Sequence, residues 1–200
     1  MKLIISGTSP YVRKVRVLIR EADLMDAVEE VSVVTSPLDS DPVALAANPA
    51  GKIPSLVRSE GPAIYDSRVI SRYLDDHAGT NYYPASRLWD VLTLEATADA
   101  ILDASVAMAY EIKMRPEHMQ YDVWIEAQWA KVERSLAAIN ERWMSHLSGP
   151  MDAAQIAVAC ALSYIDLRHD ARNWRSSNPA LAEWHASFNK RDSMVATAPS

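Results

Sequence analysis

The apolar pattern of this chain changes period once along its length, and that change limits the folds open to it. Up to residue 77, short β-branched runs alternate with helix-spaced ones; from residue 86 on, only helix spacing remains. Residues 2–6 form a β-branched run ended by Gly7, and residues 10–20 set Val12, Val15, Val17, Leu18 and Ile19 on one helical face. Residues 28–34 read as a second strand. Residues 35–49 are rich in Pro, Asp, Ser and Asn, a loop composition with one helical turn at 43–47. Residues 55–58 and 62–64 flank Ser59-Glu60-Gly61 as a hairpin. Residues 67–77 read as a helix, with Val69, Ile70, Tyr73 and Leu74 at helical spacing. The predicted order is β-α-β-loop-β-β-α, with four strands.

Residues 78–85 hold Gly79, Asn81 and Pro84 and read as a linker. Beyond it, residues 86–115 and 117–147 are long helical stretches separated by Pro116. A further helix starts at Asp152, where Asp152 and Gln155 are spaced as a capping box and Met151 and Ile156 as its apolar staple. The stretch 152–168 is apolar almost all round, which belongs in the middle of a bundle. A last helix covers about 179–189. The expected domains are 1–77 and 86–200.

Composition narrows the function. Apolar residues are 49% and charged residues 23%, the balance of a globular protein. Net charge is -6 without a basic stripe, which argues against nucleic-acid binding. An anionic ligand would need local groups to hold it. Cys160 is the only cysteine, so a disulfide within the chain and a thiolate zinc site are excluded, and it reads as a core residue. The histidines lack metal-ligand spacing, and no metal is expected. The N-terminal apolar run is too short for a signal peptide and no stretch suits a membrane span, so a soluble, cytoplasmic protein is expected.

Three segments, in order, carry a family resemblance: Thr8-Ser9-Pro10-Tyr11-Val12-Arg13-Lys14-Val15, Asn48-Pro49-Ala50-Gly51-Lys52-Ile53-Pro54, and Tyr65-Asp66-Ser67. With the capped helix at Asp152 and the ending at residues 190–199, the chain resembles bacterial cytosolic glutathione S-transferases of the serine type. That resemblance implies a thioredoxin-like N-terminal domain with a four-stranded mixed sheet, an all-α C-terminal bundle, and glutathione as co-substrate.

The chemistry implied is thiolate activation for attack on a small electrophile. Lowering a thiol pKa by ~2 units takes about 2.7 kcal/mol. One charge-assisted hydrogen bond supplies ~1.5–3 kcal/mol, and an exposed helix N-terminus up to ~1 kcal/mol. One hydroxyl at one helix start is about enough. By family position it is Ser9, ahead of Thr8 and Tyr11; Ser-Pro is equally an ordinary helix cap. The resemblance makes Ile53-Pro54 a cis turn offering the Ile53 backbone to the cysteinyl part of glutathione. Lys52 would meet the glycyl carboxylate, Ser67 the γ-glutamyl carboxylate and Asp66 its ammonium. Many members carry Glu where this chain has Asp66.

Arg13 and Lys14 are expected to be solvated. Asp99 or Asp103 could reach glutathione in a partner subunit. A second substrate is expected between the domains, with Tyr11, Met108 and Tyr110 as wall residues. A homodimer through the first two long helices is also implied. The alternatives are a non-catalytic, protein-binding relative, and a thiol-disulfide or dehydroascorbate reductase, which would carry a cysteine near Ser9.

Overall fold

The computed structural model describes residues 1–199. It divides into two compact units, one formed by Met1–Pro84 with the segment from Arg191 onward, the other by Ala85–Lys190.

The first unit contains β1 (Lys2–Ile5), α1 (Pro10–Glu21), β2 (Glu29–Ser32), α2 (Pro42–Ala47), β3 (Ser55–Val57) and α3 (Ser67–Ala78). Its sheet has the order β2-β1-β3. β1 runs parallel to β2, with Lys2 opposite Glu29 and Ile5 opposite Ser32, and antiparallel to β3, with Ile4 opposite Ser55. The central strand is the apolar one: Leu3, Ile4 and Ile5 are buried. That is the expected composition for a strand covered on both faces.

The sheet has three strands, not the expected four. Residues 62–64 contribute a single bridge, in which Leu56 and Ile64 exchange backbone hydrogen bonds of 2.9 and 3.0 Å. Pro62 has no N–H to give a ladder. Its carbonyl is taken by Arg58, whose Nε and Nη2 donate to it at 3.2 and 2.9 Å.

α1, α2 and α3 each start at a side-chain cap. Ser9, Asp41 and Asp66 accept from Val12 N, Val43 N and Arg68 N. α3 ends at Gly79 in the left-handed region (φ 64°). Residues following it are tied back to α3: buried Asp75 accepts from Thr80 Oγ1, Tyr82 N and Tyr83 N. The linker composition is therefore held against the first unit.

The second unit contains α4 (Leu88–Met114), α5 (Asp122–Arg142), α6 (Met144–Leu147), α7 (Ala153–His169) and α8 (Pro179–Phe188). Pro116 separates α4 from α5, and a short 3-10 turn at Glu117–Met119 follows it. α7 is buried nearly throughout, including Ile156, Ala157, Val158, Ala159, Cys160, Ala161 and Leu162. It packs against α4.

Asp152 caps α7 as expected, with Oδ1 accepting from Ala154 N at 3.1 Å and Gln155 N at 3.2 Å. The reciprocal half of the capping box differs. Gln155 Nε2 donates to the carbonyls of His146 in α6 and of Gly149 and Pro150 in the turn that follows it.

The C-terminal end also departs from expectation. α9 (Asp192–Ala196) belongs to the first unit and packs on α1, so the helical unit ends at Lys190. Arg13, expected in solvent, is what receives it. Its guanidinium is buried and donates from Nη2 to Met194 O at 3.0 Å. Lys14 is buried too. No helix among the described residues is long and apolar enough to cross a membrane.

Candidate active site

The register of the sheet brings three separated segments to one end. β1 leads through residues 6–8 to Ser9 at the start of α1. Because Ile4 pairs with Ser55 in an antiparallel ladder, the residues before Ser55 continue alongside the end of β1. Those residues are Ile53 and Pro54. The returning chain pairs Ile64 with Leu56, so Tyr65, Asp66 and Ser67 run back toward the same end. α1 follows β1 and α3 follows the returning segment, so both N-termini lie at this end, and the two helices pack together.

Ser9 is half-buried, with φ -75° and ψ 120°. Its Oγ accepts from Val12 N at 3.3 Å, which leaves the hydroxyl proton available to give. One hydroxyl can therefore cap the helix and still donate. Thr8 is exposed and Tyr11 is half-buried.

The Ile53-Pro54 peptide is cis. Among the described residues, neither the N–H nor the C=O of Ile53 pairs with another backbone group. That is an open strand edge, the kind that recognises an extended peptide by main-chain hydrogen bonds. The turn is braced from behind. Asn48 is buried and donates from Nδ2 to Lys52 O at 3.1 Å, while accepting at Oδ1 from Ala50 N at 3.0 Å. Ser55 Oγ also donates to Lys52 O at 3.1 Å. Gly51 has φ 63°, and a Cβ there would lie 2.6 Å from Ser40 Oγ, so only glycine fits. The Lys52 side chain is exposed.

Ser67 is buried at the first position of α3. The opening turn of a helix presents unpaired N–H groups and a favourable dipole to an anion. Asp66 is exposed. Its Oδ1 accepts from Arg68 N at 3.0 Å, and its Oδ2 lies 3.2 Å from Arg68 Nη2. Burial pushes the Asp66 pKa up, but Arg68 outweighs this and holds it below the usual carboxylate value. Asp66 is thus charged at neutral pH, yet partly engaged. Sequence reasoning missed two supporting residues: Asn48, which braces the turn, and Arg68, which pairs Asp66. The Asx-Pro pairing of Asn48 with Pro49 was the signal for the first.

In the helical unit, Met108 is fully enclosed on α4, Asp99 is buried, Asp103 is exposed and Tyr110 is 41% exposed. The fold does not bring Met108 to the surface. Among the described residues no cluster of His, Cys, Asp and Glu could hold a metal ion.

A small mixed sheet with a cis-proline edge, facing a serine-capped helix and followed by an all-helical unit, defines the two-domain architecture of glutathione transferases. The chain belongs to the glutathione S-transferase family. Residues 8–77 match the family's N-terminal domain and residues 122–187 its C-terminal domain. It is 31% identical to the uncharacterised GST-like protein YibF of Escherichia coli (strain K12), over 100% of this chain and 98% of that protein. A glutathione transferase family member from Pseudomonas fluorescens Pf-5, solved with bound glutathione, superposes with a TM-score of 0.97. It is 40% identical, over 100% of this chain and 98% of the other. Another structure from that organism, with bound S-(propanoic acid)-glutathione, gives a TM-score of 0.93 at 39% identity, with 100% of both chains covered.

Proposed function

We propose that the protein is a serine-type glutathione transferase, in which Ser9 stabilises the thiolate of glutathione for attack on a small electrophilic carbon. The observation that carries this reading is the convergence of the Ser9 cap, the Ile53 edge and the α3 N-terminus on one end of the sheet. Each suits one part of the tripeptide. The Ser9 hydroxyl would donate to the sulfur. The Ile53 N–H and C=O would pair with the cysteinyl backbone. Ser67 and the opening turn of α3 would hold the γ-glutamyl carboxylate. Asp66, with lone pairs beyond those Arg68 uses, would accept from the ammonium. Lys52, exposed beside the turn, would meet the glycyl carboxylate. The glutathione and substituted glutathione bound by the Pseudomonas relatives support the same ligand here.

Tyr11 and Tyr110 are the proposed contacts for the electrophile. A homodimer through α4 and α5 is also proposed, supported by the exposed Trp89 and its neighbours Leu92, Ala96 and Ala100 on α4. A cytoplasmic location follows from the same reading. The protein-binding alternative is not favoured, because a binding module has no need of a glutathione site. The reductase alternative lacks its nucleophile, since Cys160 is buried within α7.

The test is a calorimetric titration of glutathione, paired with the ultraviolet absorbance of the thiolate, on wild type and Ser9→Ala. Both proteins are expected to bind, and only wild type to show thiolate near neutral pH. Ser9→Ala should cost about 0.5–1 kcal/mol of stability, the low end for a lost cap, because the capping bond is long. Failure of wild type to bind millimolar glutathione would remove the reading.

A further inference from the structure

The C-terminal segment does more than close the first unit: it meets α1 one turn from Ser9. Arg13 is 8% exposed, and its guanidinium is held by two groups of that segment. Nη2 donates to Met194 O at 3.0 Å, and Nε donates to Thr197 Oγ1 at 3.4 Å. Thr197 is itself 1% exposed and gives its proton to Ser193 O at 2.8 Å. The backbone N–H of Arg13 closes the first bond of α1, onto Ser9 O at 3.0 Å. Ser9 is thus one hydrogen bond from a residue whose side chain is anchored in the C-terminal segment.

We propose that Arg13 is a positioning residue for Ser9, with Met194 and Thr197 as its anchor. The proposal rests on the reading of Ser9 given above. The first turn of a helix is its least restrained part, because its N–H groups lack intrahelical partners. Ser9 sits at that end, and its own cap bond is long at 3.3 Å. A hydrogen bond to a sulfur anion weakens steeply with misalignment, so a hydroxyl on a fraying turn would stabilise thiolate poorly. Arg13 counters this. A guanidinium offers its donors in a rigid fork and must find acceptors when buried. Here both acceptors come from one short segment, so the fork fixes α1 against it. A merely space-filling residue at position 13 would not need the charge that burial penalises.

The experiment follows the thiolate absorbance of bound glutathione against pH in four proteins: wild type, Arg13→Met, Thr197→Val and Tyr82→Phe. Thr197→Val keeps the Arg13 charge and removes half of its anchor. Tyr82→Phe removes the 2.7 Å bond to Glu21 O at the far end of α1 without touching the anchor. Arg13→Met is expected to lower the thiolate fraction at neutral pH roughly tenfold, and Thr197→Val about two- to threefold. Tyr82→Phe should titrate like wild type. Glutathione affinity should stay within about twofold in all of them, since the peptide contacts lie elsewhere.

Wild-type titration in folded Arg13→Met and Thr197→Val would overturn the proposal. So would a shift in Arg13→Met with none in Thr197→Val, which would assign the effect to charge alone. If Arg13→Met does not fold, the Thr197→Val titration decides by itself. A wild type without any Ser9-dependent thiolate would instead remove the transferase reading and this inference with it.

Discussion

The guanidinium of Arg191 and the carboxylate of Glu21 meet through two parallel hydrogen bonds, Nε to Oε1 and Nη2 to Oε2, each 2.8 Å long. Ser193 Oγ adds a third donor to Oε1 at 2.5 Å. Glu21 is the last residue of α1, so this fork fixes the start of the C-terminal segment to the end of that helix. A bidentate charge-assisted pair is stronger and more directional than a single contact. The Arg191 side chain is 42% exposed, so solvent screening limits the pair. Arg191→Met is expected to cost about 1 kcal/mol in denaturant unfolding, less at high salt.

The same pair sets an acid-sensitive step. The Arg191 hydrogen bonds hold Glu21 below the usual carboxylate value, against the opposing pull of burial and with help from Ser193. A carboxylate with a lowered folded pKa adds stability that is complete above its unfolded value of about 4.3. That stability is lost as pH falls from there through the folded value, because the unfolded chain takes up the proton first. Glu21→Gln should therefore reduce stability at neutral pH and flatten the loss below about pH 4.3. Thermal unfolding of both proteins between neutral and acid pH reads this directly. Parallel slopes would remove Glu21 as a source of the acid limb.

Gly51 is the backbone hinge of the proposed cysteinyl-binding turn. Its φ is 63°, and a Cβ would meet Ser40 Oγ at 2.6 Å and Ser40 Cβ at 2.9 Å. Gly51→Ala is expected to cost about 1–3 kcal/mol, from left-handed strain plus the clash. Because Lys52 and Ile53 follow it, glutathione affinity should fall as well. Calorimetry on the folded variant separates the two effects.

Asp152 is a fully buried carboxylate of the helical unit, so its substitution is costly. Oδ1 caps α7, and Oδ2 lies 3.2 Å from Arg87 Nη2 and 2.8 Å from His146 Nε2. The His146 ring approaches Oδ2 off the line of a hydrogen bond. Asp152→Ala removes the cap and leaves Arg87 without its carboxylate, and should cost about 3–5 kcal/mol. Asp152→Asn keeps the cap acceptor and should cost markedly less. Urea unfolding gives both values, and equal losses would point to charge rather than capping.

Much of this architecture was legible in one dimension. The caps Ser9, Asp66 and Asp152 stand at the helix starts, because a short polar side chain before an apolar run satisfies local N–H groups. The all-round apolar pattern of α7 marked a helix enclosed on every side. The missing fourth strand was not legible. Ile64 carries strand propensity, but Arg58 reaches forward to the Pro62 carbonyl, and a side chain crossing a loop leaves no periodic trace.

The site divides in the same way. Ser9, Lys52, Ile53, Pro54, Asp66 and Ser67 were singled out by the family resemblance that three short motifs carry, since each motif spans only a few residues. Arg13 was expected in solvent, because a charged residue on a surface helix ordinarily is. Only the return of residues from Arg191 onward to α1 buries it and provides acceptors, a contact spanning most of the chain. The role of Asn48 likewise depends on where Lys52 O comes to lie.

By itself, then, the sequence determined the long helices, the caps at Ser9, Asp66 and Asp152, and the order of the motifs, because those are set by neighbours a few residues apart. The tertiary structure decided the number of strands, the end of the sheet where Ser9, Ile53 and Ser67 meet, and the unit to which the last residues belong. Those outcomes turn on which distant donors and acceptors satisfy one another once buried, and burial is a property of the folded chain.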